Sequence, residues 1–265
     1  MTDSLVEAAR TAPLPPDAIT ADLRCLNCGA PIRSEYCPAC GQQAVDPHAS
    51  TWHVVKEAIS DATDVDGRAV RTIRALVVPG RLTAEFLRGR RAPYLGPFKL
   101  FLLAGTALTT TWIVTRGVDA HYYGYRADAG SANYIDVVVR GSLTAGLAIA
   151  MASWASNLGR RRLIDDAVFS LHLVATLMLW TTAITWVGTG WKATWGTAAA
   201  APSSIPSLPF LVFLPSGIVA LGYIAVAVHR VYAGRWWSTA LRTLLITAVG
   251  MTAVYEVLLH GLRRG

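Results

Sequence analysis

Five apolar stretches, 98–115, 141–158, 167–187, 208–228 and 243–259, constrain this chain more than any other feature. Each has roughly the 17–25 residues that carry a helix across about 30 Å of hydrocarbon. The apolar residues run in blocks rather than at the spacing of a surface helix or a half-buried strand. With 53% of 265 residues hydrophobic and 15% charged, an ordinary soluble domain is excluded, and a mainly α, five-span transmembrane helical bundle is expected. The first and fifth stretches are short, so Lys99 and Arg242 are expected to snorkel toward the interface.

The net charge of +7 is concentrated ahead of the first stretch. Residues 68–99 carry Arg68, Arg71, Arg74, Arg81, Arg88, Arg90, Arg91 and Lys99 against one acid, Glu85. A basic run beside a span marks the cytoplasmic membrane surface more often than a nucleic-acid site. Arg160, Arg161 and Arg162, then Arg230 and Arg235, fall between later stretches on the same side; the opposite loops carry Arg116, Arg126, Arg140 and Lys192. This asymmetry predicts a cytoplasmic amino terminus and an external carboxy terminus, although Arg263 and Arg264 at that end run against it. The opening residues hold no apolar run suited to a secretory signal.

The organisation expected is a disordered lead (1–22), a four-cysteine module (23–45), basic amphipathic juxtamembrane helices (46–97), the bundle (98–260) and a short tail (261–265). One juxtamembrane helix is expected after Ser50 and another over 68–78, with Val70, Ile73 and Val77 on its apolar stripe and Pro79-Gly80 as its stop. Both are expected to lie on the membrane. In the second span, small residues recur every four positions, at Ser142, Gly146 and Ala150, which suggests the centre of the bundle.

All four cysteines of the chain form two matching knuckles, Cys25-Leu-Asn-Cys28-Gly29 and Cys37-Pro-Ala-Cys40-Gly41. Each Cys-x-x-Cys-Gly aims two thiolates at one point, and its glycine permits the tight turn. The eight intervening residues can return the chain and close a tetrahedral site. Structural Zn2+ fits Cys25, Cys28, Cys37 and Cys40 best, iron fits the same ligands, and no position is left open for zinc catalysis. Paired disulfides or a redox dithiol are the alternatives; a cytoplasmic location disfavours stable disulfides. So small a module has almost no core, so the ion would supply its folding energy.

Within the spans, His172, Glu256 and Arg140 are costly and need partners or water. Arg140 and Glu256 are both expected near the external face. Either they form a polar site, with Asp165, Asp166 and His229 near His172, or they are packing residues with acids in a solvated loop. No paired-histidine zinc protease motif, phosphate-cradling glycine loop or nucleophile elbow occurs.

The run Tyr36-Cys37-Pro38-x-Cys40-Gly41-Gln42, then Arg71-Thr72, Pro79-Gly80 and Phe86-Leu87-x-Gly89-x-Arg91-x-x-Tyr94-x-x-Pro97, resembles a bacterial membrane-protein family known as domain of unknown function 3667. Val168-Phe169-x-Leu171-His172 and Tyr223, Tyr232 and Tyr255 extend the resemblance over most of the chain from residue 25. It implies a zinc-ribbon-like protein of the bacterial inner membrane and no established activity. The family pattern often places Glu-His ahead of the Phe-x-Leu-His segment. Asp165-Asp166 stands there instead, which disfavours a two-histidine metal site.

The leading expectation is a non-enzymatic adaptor, scaffold or sensor that presents a cytoplasmic zinc module. Arg81, Arg88, Arg90, Arg91 and Lys99 would meet anionic lipid head groups, and a cytoplasmic or membrane protein would be the partner. A homo-oligomer is compatible with this reading. The alternative is a transporter or membrane enzyme using His172 and Glu256. A nucleic-acid tether is disfavoured, because the basic residues adjoin lipid and few aromatics interleave them.

Overall fold

The computed structural model describes residues 24–32, 34, 36–43, 67–123, 131–157, 162–195 and 208–262; side chains are described for these except 116–123, 131–138, 191–195, 208–214 and 257–262. The expected lead at 1–22 and the helix after Ser50 lie outside the described residues. The described residues form seven helices, in order: α1 (Arg68–Val77), α2 (Arg81–Leu87), α3 (Pro97–Tyr123), α4 (Ser131–Ser156), α5 (Leu163–Trp195), α6 (Leu208–Tyr232) and α7 (Trp236–Leu262). The described residues contain no strand; two isolated antiparallel bridges, Arg24 with Pro31 and Tyr36 with Gln43, pin the cysteine knuckles.

Chain punctuation sets the helix limits. Gly80 adopts φ 71° and begins α2, a left-handed conformation natural to glycine. Gly89, at φ 88°, closes α2 while its amide donates to the Phe86 carbonyl at 3.0 Å. Pro97 opens α3 at a position where a missing amide costs nothing.

Five long helices, α3 to α7, correspond to the five apolar stretches. Among the described residues, three of them carry segments long and apolar enough to cross a membrane: Pro97–Thr115, Leu163–Gly190 and Trp236–Glu256. The helices overrun the expected spans, because helical hydrogen bonding does not stop where apolarity does. The segments between the expected spans are thus partly helix, with α3 reaching Tyr123 and α5 reaching Trp195.

The core gathers around α5 rather than α4. Phe169, Leu173, Val174, Ala175 and Met178 of α5 pack with Leu100, Phe101, Ala104 and Leu108 of α3 and Ile224, Ala227 and Val228 of α6. Helix α5 packs against α2, α3, α4 and α6, whereas α4 packs mainly against α7 and α5. The small-residue stripe did not bring α4 to the centre: a Cβ added at Gly146 would meet nothing within 4 Å. Trp186 Nε1 donates to Thr111 Oγ1 at 2.9 Å and ties α5 to α3.

The short helices α1 and α2 join this body. Leu82, Thr83 and Phe86 of α2 are buried, as are Thr72, Ala75 and Leu76 of α1. Tyr223 Oη of α6 donates to the Leu76 carbonyl at 2.8 Å, and the Arg230 guanidinium donates to the Pro79 carbonyl. Gly80 lies so close to α6 that a Cβ there would sit 2.9 Å from the Ala227 backbone. The expected apolar stripe of α1, Val70, Ile73 and Val77, is exposed. Thr72 turns inward instead, donating to the Arg68 carbonyl at 2.8 Å and accepting from the Leu95 amide at 2.9 Å. Such an arrangement suits a lipid solvent, where apolar side chains gain nothing by turning inward and polar ones gain partners.

Candidate metal centre

The two cysteine knuckles repeat one another bond for bond. The Cys25 amide donates to the Ala30 carbonyl at 2.8 Å, and the Cys37 amide to that of Gln42 at 2.8 Å. The Gly29 and Gly41 amides donate back to the Cys25 and Cys37 carbonyls at 2.8 and 2.9 Å. Gly29 and Gly41 take φ 76° and 69°, which is why each knuckle ends in glycine.

This geometry brings all four sulfurs within 4.8 Å of one another. Cys25 Sγ lies 3.6 Å from Cys40 Sγ, and Cys28 Sγ lies 3.5 Å from Cys37 Sγ. Four thiolates arranged tetrahedrally at a Zn–S distance of about 2.3 Å would stand about 3.8 Å apart. The four cysteines are free thiols, without a disulfide. Cys25 and Cys37 are buried, Cys40 is half-buried and Cys28 is exposed, so the site sits at the edge of its module. The donor set and its spacing fit one tetrahedral ion.

Their protonation points the same way. Hydrogen bonds from the Asn27 side chain and the Gln42 backbone, together with the Cys28 and Cys25 thiols, hold Cys40 down at about 6. The Ala30 amide favours the Cys28 thiolate, but desolvation and the thiols of Cys37, Cys40 and Cys25 outweigh it and push Cys28 up to about 12. Four negative sulfurs cannot share so small a space without a cation.

The basic residues expected to meet lipid divide by burial. Arg81, Arg88 and Arg90 are exposed, Arg91 is half-buried, and Lys99 is buried, at 9% exposure. Glu85 pairs with both Arg90, at 3.1 Å, and Arg88, at 3.7 Å. Arg91 instead places its guanidinium over the Phe86 ring, 5.0 Å from the centroid.

His172 is 2% exposed. Its Nδ1 lies 3.1 Å from Thr83 Oγ1, and the Phe86 ring meets it edge-on at 5.6 Å. Its Nε2 has no hydrogen-bond partner among the described residues, and His172 borders a space of about 10 Å³ shared with Thr176 and Tyr223, about the room one water needs. Neither ring nitrogen of His172 bonds Glu256; Glu256 is exposed on α7 and Arg140 on α4. Asp166 belongs to no solvated loop: it is fully buried in the first turn of α5 and accepts from Tyr232 Oη at 2.7 Å. His229 instead bonds Thr239, at 3.3 Å. A cavity of about 860 Å³ between α4, α5, α6 and α7 is lined mainly by apolar residues, with Ser142, Thr181 and Thr247 among the few polar ones.

Sequence reasoning missed Gln42, which fastens the cysteine module to the body. Its Nε2 donates to the Gly89 carbonyl at 2.7 Å, and its Oε1 accepts from the Arg91 and Ala92 amides, both at 3.1 Å. The hints were its place directly after the second knuckle and its presence in the Tyr36–Gln42 run that carries the family resemblance.

A family model described as "Protein of unknown function (DUF3667)" matches residues 66–109. The match covers α1, α2 and the first half of α3, and so includes the Pro79-Gly80 turn, Gly89 and Arg91 but not the four cysteines. No curated protein and no solved structure matches the chain.

Proposed function

We propose that this chain is a non-enzymatic membrane adaptor or sensor whose cysteine module is held in shape by one structural Zn2+ ion. The observation that carries the reading is the closed set of four sulfurs, within 4.8 Å of one another, on a module fixed to a helical body. A site with four protein ligands leaves no position for a reacting water, so it serves shape rather than catalysis. When bound, the ion supplies the cohesion that so small a module cannot draw from a core. Cys25, Cys28, Cys37 and Cys40 would hold it.

Leu26 and Tyr36 stand exposed on the module, and these apolar side chains suit contact with a protein partner. Exposed Arg81, Arg88 and Arg90 suit anionic head groups at the cytoplasmic face of a bacterial inner membrane, at about 1 kcal/mol for each charge near the surface. The exposed apolar row Val70, Ile73 and Val77 would lie in that same interface. Five crossings, with the amino terminus inside, complete the proposed topology.

The test is partner capture by full-length protein in native membranes, comparing the wild type with Cys25→Ser/Cys37→Ser. Loss of a specific partner at unchanged membrane abundance supports the adaptor. Unaltered recovery of every partner contradicts it. The second reading, a transporter or membrane enzyme, draws on one observation, the buried His172 whose Nε2 has no hydrogen-bond partner among the described residues. That reading requires His172→Gln to abolish a substrate-dependent activity at normal abundance.

A further inference from the structure

Both cysteine knuckles rest on the turn between α2 and α3. From the first knuckle, Leu26 leans on Gly89: its Cδ1 lies 2.5 Å from where a Cβ on Gly89 would stand. From the second, Gln42 makes all three of its side-chain hydrogen bonds to Gly89, Arg91 and Ala92. The Gln42 backbone is in turn held by the knuckle, its carbonyl accepting from the Cys37 amide. The position of the Gln42 side chain therefore follows from the shape of the cysteine site.

We infer that the cysteine module is a metal-dependent latch on the α2–α3 turn, with Gln42 as its bolt. This rests on the reading that the four sulfurs hold an ion. Without the ion, the module has no core to keep two knuckles in register, and Gln42 and Leu26 no longer arrive together at Gly89. The freed turn is not isolated. Arg91 lies over Phe86 at 5.0 Å, Phe86 meets His172 edge-on, and Thr83 of the same short helix bonds His172. Metal occupancy in the module thereby bears on the packing of α2 against α5. Gln42 is a positioning residue and touches no ion.

Hydrogen–deuterium exchange of the full-length protein in nanodiscs tests the latch, read on the peptide that contains the Arg91 and Ala92 amides, with bound metal measured on the same samples. In the metal-loaded protein these amides should be protected. Chelation should speed their exchange about tenfold or more, on the order of one net hydrogen bond per amide. Gln42→Ala should produce the same acceleration while keeping its metal. If the metal-loaded protein and Gln42→Ala exchange alike, or if chelation removes the metal and leaves exchange unchanged, the latch is overturned while the metal centre stands. If the purified protein holds no ion, the metal reading falls, and the latch with it.

Discussion

Glycines and cysteines carry the most specific consequences at the scale of single residues. Gly80 combines φ 71° with a Cβ position 2.9 Å from the Ala227 backbone, so Gly80→Ala meets both strain and a collision with main chain. The substitution should cost at least about 1–3 kcal/mol, read as a lowered unfolding midpoint in detergent. Gly146→Ala, with open space around it, should instead be neutral or stabilise by about 0.5–1 kcal/mol. At the sulfurs, Cys40 is depressed to about 6 and Cys28 raised to about 12. Near neutral pH the first is already a thiolate and the second still a thiol, so an incoming ion must displace the Cys28 proton. Zinc added to metal-free protein should release protons, and its apparent affinity should rise with pH, about tenfold per unit for each proton displaced. Affinity that is flat between about pH 6 and 8 would count against this.

The helices show which parts of the fold a single sequence reveals. Apolar runs located α3 to α7, and Pro79-Gly80 located the break between α1 and α2, because these signals are local. The apolar stripe of α1 expected to lie on the membrane, Val70, Ile73 and Val77, is exposed, while the burial of Thr72 had no signal in the local pattern; apolar side chains gain little by turning inward in lipid. The contacts of Gln42 with Gly89, of Tyr232 with Asp166 and of Thr83 with His172 join residues tens of positions apart and leave no mark in local pattern. The cysteine site was legible because its four ligands carry their own spacing. Thr83 and His172 lock α2 to α5, so Thr83→Val should destabilise by about 1–3 kcal/mol by leaving a buried histidine nitrogen unpaired. Thr83→Val/His172→Leu should recover much of that loss, which a double-mutant cycle in detergent would measure.

For the whole molecule, a small four-cysteine lobe is fastened by Gln42 and Leu26 to a turn that leads straight into the helical body. The proposed five crossings from a cytoplasmic amino terminus would place the carboxy terminus outside. A phosphatase fused after residue 262 should therefore be active and a fluorescent protein there dark; the reverse would mean an even number of crossings. The proposed shape of the lobe depends on a bound ion. Elemental analysis of the full-length protein, purified under reducing conditions without chelators, should find about one zinc or iron per chain, lost in Cys25→Ser/Cys37→Ser. Folded wild-type protein free of both metals would contradict it.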